Sequence, residues 1–151
     1  MNIETLPYRK EVTTYIINDN KEFIIVFSAQ PGKFCKTPAG GVEDGETEKQ
    51  AIIREIKEEL GIDIEIIARS EINYKWEHQK ERIIERQLKF RGSTGVIFIT
   101  RMKPEIQTVK IQEEEISGYK WIKKEEIDKY LSTEEQKDIA RKIFDEFKEW
   151  F

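Results

Sequence analysis

Apolar residues along the 151-residue chain fall into short runs closed by turn signals, with two longer stretches spaced as helices. Val12 to Ile17 and Phe23 to Phe27 are rich in β-branched and aromatic residues. Asn18-Asp19-Asn20-Lys21 separates them, so they read as two strands joined by a hairpin turn. Pro31-Gly32 marks a loop between Ala29 and Lys36, and Asp44-Gly45 a turn further on. Thr47 and Gln50 have capping-box spacing, Ile53, Ile56 and Leu60 recur at helical intervals, and Gly61 follows where a helix would stop. A helix over residues ~48 to 60 is predicted.

Ile62, Ile64 and Ile66 then alternate into a long strand-like stretch reaching Trp76, with Ile67 and Ile72 breaking the alternation. The next segment, EHQKERIIERQLKFRG, permits either a short helix or a long hairpin loop. Thr94 to Arg101 is the most apolar run of the second half, which predicts a central strand. Ile116 to Ile122 reads as another strand and Lys124 to Leu131 as a short helix. Ser132 or Thr133 caps a longer one, whose Ile139, Ile143, Phe147 and Trp150 share a side that would pack on the sheet. Nothing repeats and no linker interrupts the pattern, so one domain over residues 1–151 is expected.

Composition narrows the partners. With 38% hydrophobic residues the chain is not disordered, and a formal net charge of −4 argues against a protein that coats nucleic acid throughout. A local basic groove is still possible: between Lys75 and Arg91 six Lys or Arg face three Glu. Tyr74, Trp76 and Phe90 add flat rings there on which a nucleobase could stack, although rings beside strands also serve as core. Cys35, the one cysteine, excludes an intramolecular disulfide and, with no evident partner base, reads as a small buried residue. His78, the one histidine, reads as a surface loop residue. No apolar run approaches the ~20 residues of a membrane span, and MNIETLPYRKEVTTYII lacks a signal-peptide layout. A soluble, cytoplasmic protein without a membrane partner is expected.

The chemistry concentrates in the predicted helix. At ~100° per residue, Glu55, Glu58 and Glu59 share one arc beside a face of Ile52, Ile53, Ile56 and Leu60. Like charges at these spacings destabilise a helix unless a cation is shared. Carboxylates without nearby His or Cys suit Mg²⁺ or Mn²⁺ rather than zinc. Arg54, four residues before Glu58, could orient a carboxylate, and Glu46 at the helix mouth could support a water or interact with the helix N-terminus. Backbone near Gly40 can approach a metal or phosphate because no side chain intervenes.

The whole stretch reads Gly40, five residues, Glu46, seven residues, Arg54-Glu55-Ile56, one residue, Glu58-Glu59, one residue, Gly61-Ile62. This pattern resembles the Nudix box, with every fixed position filled. The resemblance implies a mixed β-sheet between helices, an α/β/α sandwich. It also implies hydrolysis of a pyrophosphate bond in a nucleoside diphosphate linked to another moiety. The metal site it implies uses Gly40, Glu55, Glu58 and Glu59, with one more carboxylate from the Glu113-Glu114-Glu115 run, where Glu115 is the best match. Glu55 is then a metal ligand or the general base, Glu115 is its rival as base, and Arg54 supports catalysis.

Outside the box, the chain is similar to the RNA pyrophosphohydrolase and dinucleoside polyphosphate hydrolase branch. The matching residues are Tyr8-Arg9, Tyr74-Lys75-Trp76, Phe90-Arg91-Gly92 and Gly118-Tyr119-Lys120-Trp121. The resemblance implies a nucleotide or dinucleotide substrate, or an RNA 5′ end, with Arg9 on phosphate and Tyr74 and Trp76 on the rest. Ala39-Gly40-Gly41 and Lys10-Glu11-Val12-Thr13 depart from that branch, which ranks a dinucleoside polyphosphate ahead of 5′-triphosphate RNA. The alternatives are a pool-sanitising enzyme acting on modified NTPs, an ADP-ribose pyrophosphatase, or a silent nucleotide-binding module. His78 stands where the ADP-ribose subfamily tends to place a proline, and a silent module would not need all its box glutamates.

Overall fold

The computed structural model describes residues 2–29 and 34–151, so the Pro31-Gly32 turn lies outside the described residues. Three long strands form the centre of the sheet: β1 (Tyr8–Ile17), β5 (Ile64–Glu77) and β6 (Gly92–Met102). β6 lies between the other two, parallel to β1 from Tyr8↔Gly92 to Ile17↔Arg101 and antiparallel to β5. Its predicted central place holds. β5 slips register between Ile66 and Ala68 and again between Arg69 and Asn73. Such irregularities carry extra residues and shift which face a side chain takes, which accounts for Ile67 and Ile72 breaking the alternation.

The other edge of β1 is shared. β2 (Phe23–Ser28) meets it only at Ile17↔Phe23 and pairs instead with β7 (Ile116–Ile122) and β3 (Cys35–Lys36). Further along, β4 (Ala39–Gly41) takes the edge, setting Gly41 opposite Glu11 and Gly40 opposite Val12. The glycine loop is thereby part of the sheet.

Helix α1 (Glu48–Leu60) covers one face, where Ala51, Ile52, Ile56 and Leu60 pack on Val12, Ile16, Ile24, Val26, Val96 and Phe98. Each fully buried Ile or Leu contributes about 1.5–3 kcal/mol. The other face carries α4 (Glu134–Glu146), with Ala140, Ile143 and Phe151 against Tyr15, Ile17, Phe23, Ile97, Ile99 and Ile122. Successive β1 residues alternate between these cores, so the whole strand from Val12 to Ile17 is buried. The arrangement is a mixed sheet between helices. Among the described residues no helix is long and apolar enough to cross a membrane.

Several local details differ from the pattern. Ile53 is 42% exposed, whereas Glu59 is buried at 5%, so the apolar and acidic faces of α1 are not cleanly divided. The undecided segment forms α2 (Lys80–Arg86) within the β5–β6 connection. Residues 124–130 divide into a 3-10 turn, Lys124–Glu126, and α3 (Ile127–Tyr130). Thr133, not Ser132, caps α4.

At the far end of α1, Gly61 has φ +66°, and its N–H closes the helix on the Lys57 carbonyl. A Cβ there would also lie 3.2 Å from Lys110 Cβ. Gly61→Ala is expected to cost about 1–2 kcal/mol through the left-handed backbone, measured as a lower urea midpoint with an unchanged slope.

Candidate active site

Local capping starts the site. Thr47 Oγ1 accepts from the Gln50 N–H at 3.1 Å and Gln50 Oε1 accepts from the Thr47 N–H at 2.9 Å, which fixes where α1 begins and therefore where its glutamates project. Two turns in, Arg54 ties the loop to the helix. Its Nε and Nη2 donate to the two Glu46 oxygens at 2.7 and 2.9 Å, and Nη2 also donates to the Gly41 carbonyl at 2.8 Å. Its Nη1 reaches Glu55 at 3.0 Å and Glu58 at 3.2 Å. The orienting part expected of Arg54 toward Glu58 is present, and extends to Glu55.

This forked pairing is also where the sequence fell short. Glu46 does not turn to the helix N-terminus. It accepts from the Arg54 guanidinium and from the Glu43 N–H at 3.0 Å, and these two, the guanidinium first, hold its carboxyl down to about 2.

Glu55 and Glu59 lie deeper. The Glu55 carboxyl packs directly against Gly40, whose missing side chain leaves its space. Burial pushes the Glu55 pKa above the usual carboxylate range, with Arg54 opposing and Glu58 and Glu115 adding to the rise. Glu59 is more extreme: burial pushes it up to about 8, with Lys36 opposing and Glu55, Glu115 and Glu58 reinforcing. Lys36, on a two-residue strand, carried no recognisable signal in the sequence.

The chain thus gathers Glu55, Glu58, Glu59 and Glu115 within electrostatic reach of one another, Glu58 and Glu115 at the exposed side. Among the described residues no three of these side chains converge into a ready-made metal cage. One atom does ask for a partner: Glu59 Oε2 is buried without any hydrogen bond among the described residues. An orphaned carboxylate oxygen amid three further carboxylates, all hard oxygen donors, fits a divalent cation that completes its shell with water or phosphate oxygens.

The raised Glu59 pKa has a consequence for the metal-free protein. A carboxyl that ionises near 8 when folded and near its ordinary value when unfolded binds more protons in the native state between those limits. Its contribution to stability is complete below the ordinary value and fades as pH rises toward about 8. In EDTA, the melting temperature is therefore expected to fall between pH 5 and pH 8, and Glu59→Gln to flatten that slope.

The residues expected to contact substrate lie mostly on the opposite face of the sheet from α1. The exposed Arg9 guanidinium packs on Gly41, and the Tyr74 ring lies over Gly95. Tyr74 Oη donates to Glu11 Oε1 at 2.7 Å, and Trp76 Nε1 donates to the same oxygen at 3.5 Å. Tyr74 is thus committed within the protein, its pKa raised by burial first and by Glu11 next. Trp76 is 37% exposed, with His78 edge-on to its ring at 4.7 Å. Cys35 is buried, which pushes its thiol up to about 11, as expected of a residue with no nucleophilic part.

Known proteins share this architecture. Residues 7–147 match the family described as NUDIX domain. The RNA pyrophosphohydrolase of a Nitratiruptor species is 29% identical over 152 residues, 97% of each chain. That of Pelagibacter ubique is 32% identical over 131 residues, 83% of each. Among solved structures, a Caenorhabditis elegans Ap4A hydrolase binary complex superposes with a TM-score of 0.68 at 22% identity, covering 93% of this chain and 99% of that one. With its box complete and held around one buried carboxylate, the chain belongs to the Nudix hydrolase family, as a pyrophosphohydrolase.

Proposed function

We propose that the chain hydrolyses the 5′-terminal triphosphate of RNA, with Mg²⁺ held by Glu58, Glu59 and Glu115 and the Gly40 backbone, and with Glu55 as the general base. The observation that carries the catalytic reading is Glu59 Oε2, a buried carboxylate oxygen in the acidic cluster without a hydrogen-bond partner among the described residues. RNA moves ahead of a dinucleoside polyphosphate because relatives matching this chain nearly end to end bear the name RNA pyrophosphohydrolase.

The bound cation would offset phosphate charge and make water a stronger acid. The chain's own groups supply the rest. Arg54 holds Glu55 by one oxygen, so that the carboxylate keeps a fixed bearing while its other oxygen accepts a proton from the attacking water. Burial, by raising the Glu55 pKa, makes it a stronger base than a surface glutamate. Glu46 fixes Arg54 in turn. On the other face, Arg9 has no ion pair among the described residues and offers its fork to a phosphate, and Trp76 offers a ring for the first base. Tyr74 stiffens this wall through Glu11.

The test is product identification by mass after incubation in ¹⁸O-labelled water with Mg²⁺ and, separately, 5′-triphosphate RNA, diadenosine tetraphosphate, ADP-ribose and dNTPs. The expected outcome is conversion of the RNA to its 5′-monophosphate. Turnover confined to another substrate overturns the RNA reading, and no turnover of any favours a silent binding module.

A further inference from the structure

A cavity of about 780 Å³ opens beside the N-terminal turn of α1. The sheet register places its floor. Lys10, Thr94 and Lys75 stand side by side on β1, β6 and β5, and Val12, Val96 and Asn73 form the next row. Val12 and Val96 belong to the α1-side core, so Lys10 and Lys75, two residues along from Val12 and Asn73, project on that side too. Arg9, Glu11 and Tyr74, one residue out of step, belong to the opposite face.

The lining carries as many carboxylates (Glu11, Glu46, Glu48) as cations (Lys10, Arg69, Lys75). Each carboxylate already has a partner other than the two lysines, Glu11 through Tyr74 and Trp76. Glu46 is taken by both arms of Arg54, and Glu48 pairs with Arg69 at 3.4 Å. Lys75 has no carboxylate at ion-pair distance among the described residues; its ammonium rests 4.4 Å from the centre of the Tyr8 ring. The Lys10, Thr94 and Asn73 side chains make no hydrogen bond or ion pair among the described residues. Two unneutralised ammonium groups therefore flank a free hydroxyl across three adjacent strands, with a free amide in the next row. Neighbouring donors that no protein acceptor engages are a composition suited to phosphate oxygens. The volume exceeds that of one phosphate and falls within the ~300–1,000 Å³ of small-molecule sites.

We infer that Lys10, Thr94 and Lys75 form a second phosphate-binding site, beside Glu46 but apart from Glu55, Glu58 and Glu59, and separated from Arg9 by the sheet. The phosphate comes either from the backbone of an RNA whose 5′ end occupies the catalytic site or from free pyrophosphate. The first source rests on the proposed RNA activity; the second does not.

Two arms test this. In EDTA, inorganic pyrophosphate is titrated into the protein while backbone amide shifts are followed. Saturable changes at Lys10, Thr94 and Lys75 are expected, weakened about tenfold in the double variant K10Q/K75Q. Changes confined to Arg9, Gly41 and the box, or unaffected by K10Q/K75Q, overturn the site whether or not RNA is a substrate. In the second arm, KM is compared for triphosphorylated RNAs of two and ten nucleotides. A lower KM for the longer RNA, lost in K10Q/K75Q at unchanged kcat, assigns the site to RNA backbone. Equal KM values with pyrophosphate binding intact assign it to free pyrophosphate. Both side chains are exposed, so the variant is expected to keep its circular dichroism and melting temperature.

Discussion

Replacing Glu59 by glutamine is expected to lower kcat by on the order of 10²–10³-fold while the protein stays folded. Glu59 is the one box carboxylate that is fully enclosed, and one of its oxygens has no hydrogen-bond partner among the described residues. Glutamine has nearly the same shape but no charge, so it loses the cation's partner without opening a cavity. Because the native site penalises the charged carboxylate, the metal-free variant should be at least as stable as the parent above neutral pH. The checks are single-turnover kinetics at saturating Mg²⁺ and a urea melt of the same preparation. Near-parental activity would remove Glu59 from the metal site. Lost activity together with lost secondary structure would make it a folding residue instead.

Gly40→Ala is expected to be the second most damaging change, costing roughly 10²-fold in kcat. A Cβ at this position would stand 2.0 Å from Glu55 Cδ and 2.3 Å from its Oε2. The three nearest atoms all belong to the flexible Glu55 side chain, so the strand can remain paired with β1 while Glu55 swings away. The expected signature is therefore functional rather than structural: a large fall in kcat, a small change in melting temperature, and a flattened acid limb of the pH–rate profile if Glu55 is the base. A large loss of stability with kcat retained in the folded fraction would contradict this placement of Glu55.

Why some of this was legible in the sequence and some was not follows from the kind of contact involved. Helix α1 could be bounded to the residue because its signals are local: Thr47 and Gln50 cap each other, and Gly61 takes the left-handed turn. The box motif located the carboxylates for the same reason, since their spacing is carried by one helix. Helical spacing gives angles but not what lies beneath each turn. Ile53 and Leu60, seven residues apart, point nearly the same way, yet one is exposed and the other fully buried. Glu59 likewise falls close in angle to Ile52, and shares its burial.

The remaining features depend on tertiary contacts. Lys36 reaches Glu59 only because β3 pairs with β2 at Val26, on the α1 side of the sheet. Arg54 grips Glu46 across the turn that precedes α1, and Glu11 meets Tyr74 across β6. The phosphate-sized row of Lys10, Thr94 and Lys75 exists only once three strands from distant parts of the chain are in register. Glu46 and Arg54 have a fixed spacing in the box, but spacing alone did not say that they pair; the contacts across the sheet have no characteristic spacing and could not be read before the sheet order was known.

The most direct test of the account is the Mg²⁺ dependence of pyrophosphate-bond hydrolysis by metal-stripped protein, with 5′-triphosphate RNA as substrate and the 5′-monophosphate product followed by mass. The account predicts no product in EDTA, saturable recovery on adding Mg²⁺, and no recovery at any Mg²⁺ concentration in Glu59→Gln beyond a residual rate of about a hundredth of the parent. Equal rates with and without Mg²⁺, or full recovery in Glu59→Gln, would contradict a catalytic centre built on the box carboxylates.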